Sequence, residues 1–166
     1  MTKLDATDIR ILAALQRDGR MTYAKLSEAV GLSASPCQDR VKRLVSAGLI
    51  RRFAAEIEIE RVVEAVTVFA QVTLKGHGRS NFERFETAIR KLPEAVECHK
   101  VGGGFDYLVR FVCHDMKAYQ EISEALLRAT TGIGQYFSYV VIERVKPFEG
   151  LPIERLLRAA ESKPSR

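Results

Sequence analysis

This sequence predicts an α+β protein built in two parts, on three observations. Over the first fifty residues, apolar side chains recur at helical spacing in three short runs, each ending at a turn residue. Between the second and third runs stands Gly31-Leu32-Ser33-Ala34-Ser35-Pro36, a glycine-marked turn that feeds a basic segment. From Ala65 onward the pattern switches between strand and helix periods in the order strand, helix, strand, strand, helix, strand.

Size and composition set the bounds. The 166 residues suffice for one ordinary domain or two small ones, and 46% hydrophobic with 28% charged residues is enough to bury a globular core. No apolar run approaches the roughly 20 residues that span a bilayer. Behind Met1-Thr2-Lys3-Leu4-Asp5 there is no apolar signal core, so a cytoplasmic location and no membrane partner are expected. The cysteines Cys37, Cys98 and Cys113 are odd in number and lack a Cys-x-x-Cys pair, which argues against a disulfide framework. A net charge of +5 permits nucleic acid as a partner without requiring it. Its distribution says more: from Ser35 to Arg52, Arg40, Lys42, Arg43, Arg51 and Arg52 stand against the single acid Asp39.

The first run opens on Asp5-Ala6-Thr7-Asp8, a cap with acids where the helix macrodipole favours them. Ile11, Leu12 and Leu15 follow at helical spacing, with Ile9 at the margin, until Asp18-Gly19-Arg20. Thr22 caps a short second helix bearing Leu26, Ala29 and Val30, and Gly31 closes it in the left-handed region. The third helix starts at Ser33 or Ser35, with Pro36 in its first turn where a missing amide is harmless. Cys37, Val41, Leu44 and Val45 make its inner stripe, Arg40 lies at the flank, and Gln38, Asp39, Lys42 and Arg43 point elsewhere until Gly48. Three such helices around a tight turn make a helix-turn-helix, which places its last helix in DNA. By itself the basic face is what any solvated amphipathic helix shows; the turn gripped between two helices favours DNA. Cys37, on the inner stripe, is a packed thiol.

Leu49 to Glu60 alternates apolar and polar residues from Ala55 on and reads as a strand, with Arg51 and Arg52 just after the third helix like a small wing. Backbone phosphates are natural partners for those two arginines. Glu56, Glu58 and Glu60 would repel DNA, so the strand leads away from it as a hinge.

In the second half, Val66, Val68, Ala70, Val72 and Leu74 alternate with more polar neighbours as an antiparallel strand does. Ser80 and Glu83 suggest a capping box for a helix with Phe82, Phe85, Ile89 and Leu92 inward, stopped by Pro93. Val96–Val101 and Phe105–Cys113 read as a hairpin around Gly102-Gly103-Gly104. Asp115 caps a helix with Tyr119, Ile122, Leu126 and Ala129 buried, Thr131-Gly132 ends it, and Tyr136–Val145 is the last strand. This βαββαβ order is the ferredoxin-like arrangement, an antiparallel sheet with both helices on one face. Phe69, Tyr107 or its neighbours, and Tyr136 or Tyr139 fall to the other face, which a second copy of the chain would cover. After Pro147 come a possible short helix, Ile153 to Ala160, and a polar end, Ser162 to Arg166, expected to be disordered.

Candidate chemistry is sparse. The triple glycine lacks the following helix and nearby lysine of a phosphate loop. It reads either as a plain hairpin turn or as bare amides that hold a small ligand's carboxylate. Cys98-His99 and Cys113-His114 point adjacent side chains to opposite sheet faces, so a metal site is not expected, although Cys98 could lie across from Cys113. No nucleophile stands in a catalytic motif, and Asp106 beside the glycines is a backbone acceptor before it is a base. Neither an enzyme nor a cofactor is expected.

Two sets of residues carry a family resemblance. The first is Leu4-Asp5, Asp8, Ile11-Leu12, Leu15-Gln16, Asp18-Gly19-Arg20, Leu26-Ser27, Val30-Gly31-Leu32-Ser33, Ser35-Pro36-Cys37, Arg40-Val41-Lys42-Arg43-Leu44 and Gly48-Leu49-Ile50. The second is Glu97-Cys98-His99, Val101, Gly103, Phe105-Asp106-Tyr107-Leu108, Asp115-Met116, Ala118-Tyr119 and Tyr139-Val140-Val141. Together they resemble the Lrp/AsnC family of feast/famine transcription regulators over roughly residues 3 to 147. The resemblance implies a winged helix-turn-helix over 1–50, a hinge over 51–64, a ferredoxin-like effector and oligomerisation domain over 65–146, and a tail over 147–166. It implies homodimers, commonly four in a ring, that respond to an amino acid or related metabolite, with double-stranded DNA as partner. Carried onto this chain, effector contacts fall at Val101, Gly102, Gly103, Gly104, Phe105, Asp106 and Tyr107, and more weakly at Gln135. The run Gly102-Gly103-Gly104 departs from the usual bulkier or polar residues and points to a larger or different effector. For DNA, Ser33, Ser35 and Pro36 open the reading helix. Ser35, Gln38, Asp39 and Lys42 approach base edges, while Arg40, Arg43, Arg51 and Arg52 hold phosphate. The rival reading is an architectural protein that wraps DNA without an effector.

Overall fold

The computed structural model describes residues 4–76, 78–130 and 132–161, without the side chains of 158–161. The described chain forms two compact units: residues up to 56 together with those from 146 on, and residues 57–145.

The first unit contains α1 (Ala6–Arg17), α2 (Tyr23–Val30) and α3 (Ala34–Ser46). Their ends follow local chemistry. The Asp5 side chain accepts from the Asp8 amide while the Asp8 side chain accepts from the Asp5 amide, a full capping box. Thr22 caps α2, and Gly31 closes it at φ 69°, where a side chain would be strained. Helix α3 follows Ser33, and Gly48 just past its end has φ 70°. Ile11, Leu26, Val30, Cys37, Val41 and Leu44 form the core. Val45, expected among them, is 43% exposed. It sits one residue past Leu44, rotated a quarter-turn or more off the stripe that Cys37, Val41 and Leu44 define.

The tail belongs to this unit. Helix α6 (Ile153–Glu161) packs on α1, and the Gln16 amide grips the Leu151 backbone both ways: Nε2 donates to the carbonyl at 2.8 Å and Oε1 accepts from the amide at 2.9 Å. Gly150 makes that approach possible, since a Cβ there would stand 2.6 Å from Gln16 Nε2. Ser162 to Arg166 lie outside the described residues. The strand expected over Leu49 to Glu60 does not form. Residues 51–58 join no ladder and lead into a single 3₁₀ turn, Ile59–Arg61. The alternation is there, but a strand needs a neighbour to take its amides and carbonyls, and this chain supplies none among its described residues.

The second unit is a four-stranded antiparallel sheet of β1 (Val66–Leu74), β2 (Ala95–Lys100), β3 (Tyr107–Cys113) and β4 (Ile133–Val140) in the order β2-β3-β1-β4. This is the ferredoxin-like order the sequence predicts. Val68, Ala70, Val72 and Leu74 of β1 pack with Val109 and Phe111 of β3 against Phe85 and Ile89 of α4 (Arg79–Ile89) and Tyr119 and Leu126 of α5 (Met116–Ala129). Several details differ from the sequence expectation. Gly78, not Ser80, is the N-cap of α4, and Glu83 pairs with Arg79 at 2.7 Å. Ala129 is exposed, and β4 starts three residues before Tyr136 and ends at Val140. Cys98 faces Val109 across the ladder and Cys113 faces Val66, so the two thiols are not opposite.

The structure resolves the alternatives left open for the sheet faces: Leu108 rather than Tyr107, and Tyr139 rather than Tyr136, take the open side. Tyr107 and Tyr136 point to the helical side: the Tyr107 hydroxyl donates to Glu86 on α4, and the Tyr136 hydroxyl shares a hydrogen bond with Tyr119 on α5. The open face carries Phe69, Gln71, Leu108, Phe137 and Tyr139, paired directly across the strands.

Candidate DNA-reading head and effector turn

Facing away from its buried stripe, α3 presents Ser35, Asp39, Lys42 and Ser46 at successive helical turns, all exposed. Gln38 is half-buried beside them; Ser33 and Pro36 are exposed at the helix start. Lys42 lies 4.0 Å from Asp39, a loose surface pair worth little. Arg51 and Arg52 are exposed on the irregular segment that follows.

Arg40 and Arg43 are placed differently from the rest. Both reach back to Asp8 on α1, whose carboxylate is 1% exposed. Arg40 Nη1 donates to Asp8 Oδ1 at 2.8 Å and to Asp5 Oδ2 at 2.6 Å, and Arg43 Nη2 donates to both Asp8 oxygens at 2.6 Å. Burial pushes the Asp8 carboxyl up, but the Asp5 amide and the two guanidinium groups outweigh it and hold the acid ionised below its ordinary range. Nothing in sequence spacing announces this cluster, because its partners lie on different helices. The one local signal was Asp8 itself, an acid at a position later found inside the unit.

In the second unit, Val101 to Tyr107 close into one turn. The Val101 amide donates to the Asp106 carbonyl, the Asp106 amide to the Val72 carbonyl, and the Leu74 amide to Asp106 Oδ2 at 2.8 Å. Asp106 is thus a backbone acceptor that pins the turn to the end of β1, where the ladder to β4 shifts between Thr73 and Leu74. Gly102, Gly103 and Gly104 are exposed, Gly103 has φ 150°, and a Cβ at any of the three would meet nothing within 4 Å. Val101, Phe105 and Asp106 are half-buried around them. Tyr107 belongs to the core instead, at 1% exposure. Its hydroxyl is held by Glu86, and its ring stacks at a tilt on Phe85, 4.5 Å between centroids. Burial, then Glu86, pushes its phenol well above the usual value. Gln135 is exposed on β4 opposite Thr73, so β1 separates it from the turn by about two strand spacings, roughly 10 Å.

Removing the Asp106 carboxylate tests its pinning role. Asp106→Ala leaves the Leu74 amide, on a residue 3% exposed, without an acceptor. The expected loss is about 1–3 kcal/mol, read as a lowered melting temperature together with faster hydrogen exchange at that amide.

A helix-turn-helix unit and a ferredoxin-like unit with an open backbone turn define a DNA-binding regulator with a ligand-binding domain. Comparison with known proteins agrees. The Lrp/AsnC ligand binding domain model matches residues 67–151, and a winged helix-turn-helix DNA-binding model matches residues 4–51. Over 155 residues the chain is 43% identical to the transcriptional regulatory protein DoeX of Halomonas elongata, covering 93% of this chain and 98% of that protein. It is 40% identical over 151 residues to the leucine-responsive regulatory protein of Escherichia coli, covering 91% and 92%. A transcriptional regulator of Neisseria meningitidis solved in complex with L-Met superposes with a TM-score of 0.85 at 36% identity, over 93% of this chain and 99% of that one. An AsnC family regulator of Agrobacterium tumefaciens gives 0.84 at 32% identity, over 92% and 99%. The chain belongs to the Lrp/AsnC family of transcriptional regulators. Among the described residues no helix is long and apolar enough to cross a membrane.

Proposed function

We propose that this chain regulates transcription in the cytoplasm by reading double-stranded DNA through α3, and that an amino acid or close derivative at the Val101–Gly104 turn adjusts its assembly or DNA affinity. The observation that carries the reading is the pairing of two devices in one chain. An exposed polar face on the last helix of a helix-turn-helix can enter a major groove, and three exposed glycine positions present bare backbone to a small carboxylate. Ser35, Gln38, Asp39 and Lys42 approach base edges, with Ser33 and Pro36 setting the helix start, while Arg51 and Arg52 hold phosphate. Val101, Phe105 and Asp106 frame the ligand, with Tyr107 supporting from the core and Gln135 as an outlying contact. The open face around Phe69, Phe137 and Tyr139 is covered in a homodimer, and dimers assemble further, four to a ring. Residues 51–64 serve as the hinge between the DNA-binding part and the effector part.

Thermal-shift screening against the free amino acids tests the effector half, starting with apolar ones because relatives are named for leucine or were solved with L-Met. A raised melting temperature for one class of amino acid supports it. No shift with any, together with equal binding to unrelated duplexes, favours an architectural DNA-wrapping protein instead. For the DNA half, Arg51→Ala is expected to weaken binding to all sequences alike. It should also flatten the log–log salt dependence by about 0.9 per lost phosphate contact, measured by anisotropy across a salt series.

A further inference from the structure

Of the three cations on α3, two reach back to α1, with the Arg43 side chain still 48% exposed. Arg40 and Arg43 lie one turn apart on the flank beside α1, and the exposed line Ser35, Asp39, Lys42, Ser46 runs past them. Asp8 accepts four hydrogen bonds there from three donor atoms: Arg40 Nη1 at 2.8 Å, Arg43 Nη2 twice at 2.6 Å, and the Asp5 amide at 3.1 Å. Counting Asp5, two guanidinium groups face two carboxylates, so the cluster is locally neutral and has little attraction left for a phosphate. The remaining hold on α3 is apolar, through Cys37, Val41 and Leu44. Apolar burial is non-directional and tolerates small rotations of a helix about its own axis. Base reading does not, because a hydrogen bond to a base edge weakens steeply once its angle is lost.

Resting on the reading that α3 enters DNA, we propose that Asp8 is a positioning residue for sequence recognition. Through one terminal nitrogen of each guanidinium, Arg40 Nη1 and Arg43 Nη2, it sets the rotation of α3, and these two arginines are clamp members rather than phosphate ligands. An ion cluster around one buried carboxylate is poor evidence for stability but can specify one arrangement among several, and here the arrangement is the angle at which Lys42 and its neighbours meet the bases. Lysine in place of arginine separates the two roles: it keeps the charge that a phosphate needs, while its compact ammonium on a flexible stem does not hold the fixed direction that the planar guanidinium gives the clamp.

The experiment measures anisotropy in a KCl series, with the full-length chain on a duplex it has selected from a random pool and on a scrambled copy. Each variant is used below its own melting transition. Arg51→Gln sets the reference, a salt slope lowered by about 0.9 per contact on both duplexes. The double variant Arg40→Lys/Arg43→Lys is expected to keep the wild-type slope while losing tenfold or more of the selected-to-scrambled affinity ratio. Asp8→Asn should lose the same ratio and bind the scrambled duplex no more weakly than wild type; if it does not fold, the lysine pair decides. A ratio within twofold of wild type for the lysine pair overturns the proposal. So does Arg43→Gln lowering the slope as Arg51→Gln does. If Lys42→Ala leaves the selected duplex bound as before, the reading of DNA by α3 fails first, and the clamp loses its purpose with it.

Discussion

Alanine in place of Phe111 is expected to remove about 3–5 kcal/mol from the sheet unit, the range for deleting a fully buried aromatic ring. Phe111 is 0% exposed at the middle of β3, opposite Val68 on β1 and Ala95 on β2, with its ring edge-on to Tyr119 at 5.6 Å. The ring joins three strands to α5, so the cavity cannot close by moving one side chain. Typical domains hold only 5–15 kcal/mol in total, and a loss of this size uses a large share of it. Hydrogen exchange resolves the effect by region: amides of Val68 and Val109 are expected to lose protection while those of Ile11 and Val41, in the other core, keep theirs. Unchanged protection in β1 and β3 would mean that the packing around Phe111 is not what holds the sheet.

How far the sequence carries the fold depends on how far apart the deciding residues are. The Asp5 box, the Thr22 cap and the left-handed Gly31 are settled within four residues, and all three were legible. The βαββαβ order was legible as well, because each element carries its own period. Cross-strand parity was not. Tyr107 follows a glycine turn through which the alternation cannot be counted, and only its register with Val72 on β1 puts its ring under α4. The strand expected over Leu49 to Glu60 failed for a related reason: alternation supplies faces, but the ladder partner must come from elsewhere. Gly78 rather than Ser80 starts the helix because the Asn81 and Phe82 amides already donate to the Gly78 carbonyl. At the site, the exposed face of α3 and the bare glycine turn followed from local chemistry. The Asp8 cluster did not, since Arg40 and Arg43 are 32 and 35 positions from it and no period links them.

Replacing Phe137 by glutamate is expected to dissociate the proposed dimer without unfolding the chain. Phe137 is 48% exposed on β4 directly opposite Gln71, and Tyr139, 53% exposed, stands beside it. With half-buried Phe69 and Leu108 they leave aromatic and aliphatic surface on the sheet face that the helices do not cover. Such a face in water costs free energy that pairing with a second copy recovers. Two-fold pairing would bring both introduced carboxylates into the same buried layer, where Arg110, the cation opposite Phe69, is already held by Glu97 at 3.2 Å, and an unpaired buried charge costs several kcal/mol. In a monomer the same glutamate sits at a solvent-facing strand position, where it is tolerated. Sedimentation velocity is therefore expected to shift from dimer or larger species to monomer, with far-ultraviolet circular dichroism unchanged. Leu127→Glu supplies the control: Leu127 is 40% exposed on α5 rather than on the sheet. If both glutamates dissociate the assembly equally, the sheet face is not the specific contact. If only Leu127→Glu does so, the helical layer is the interface and the sheet is covered by something else.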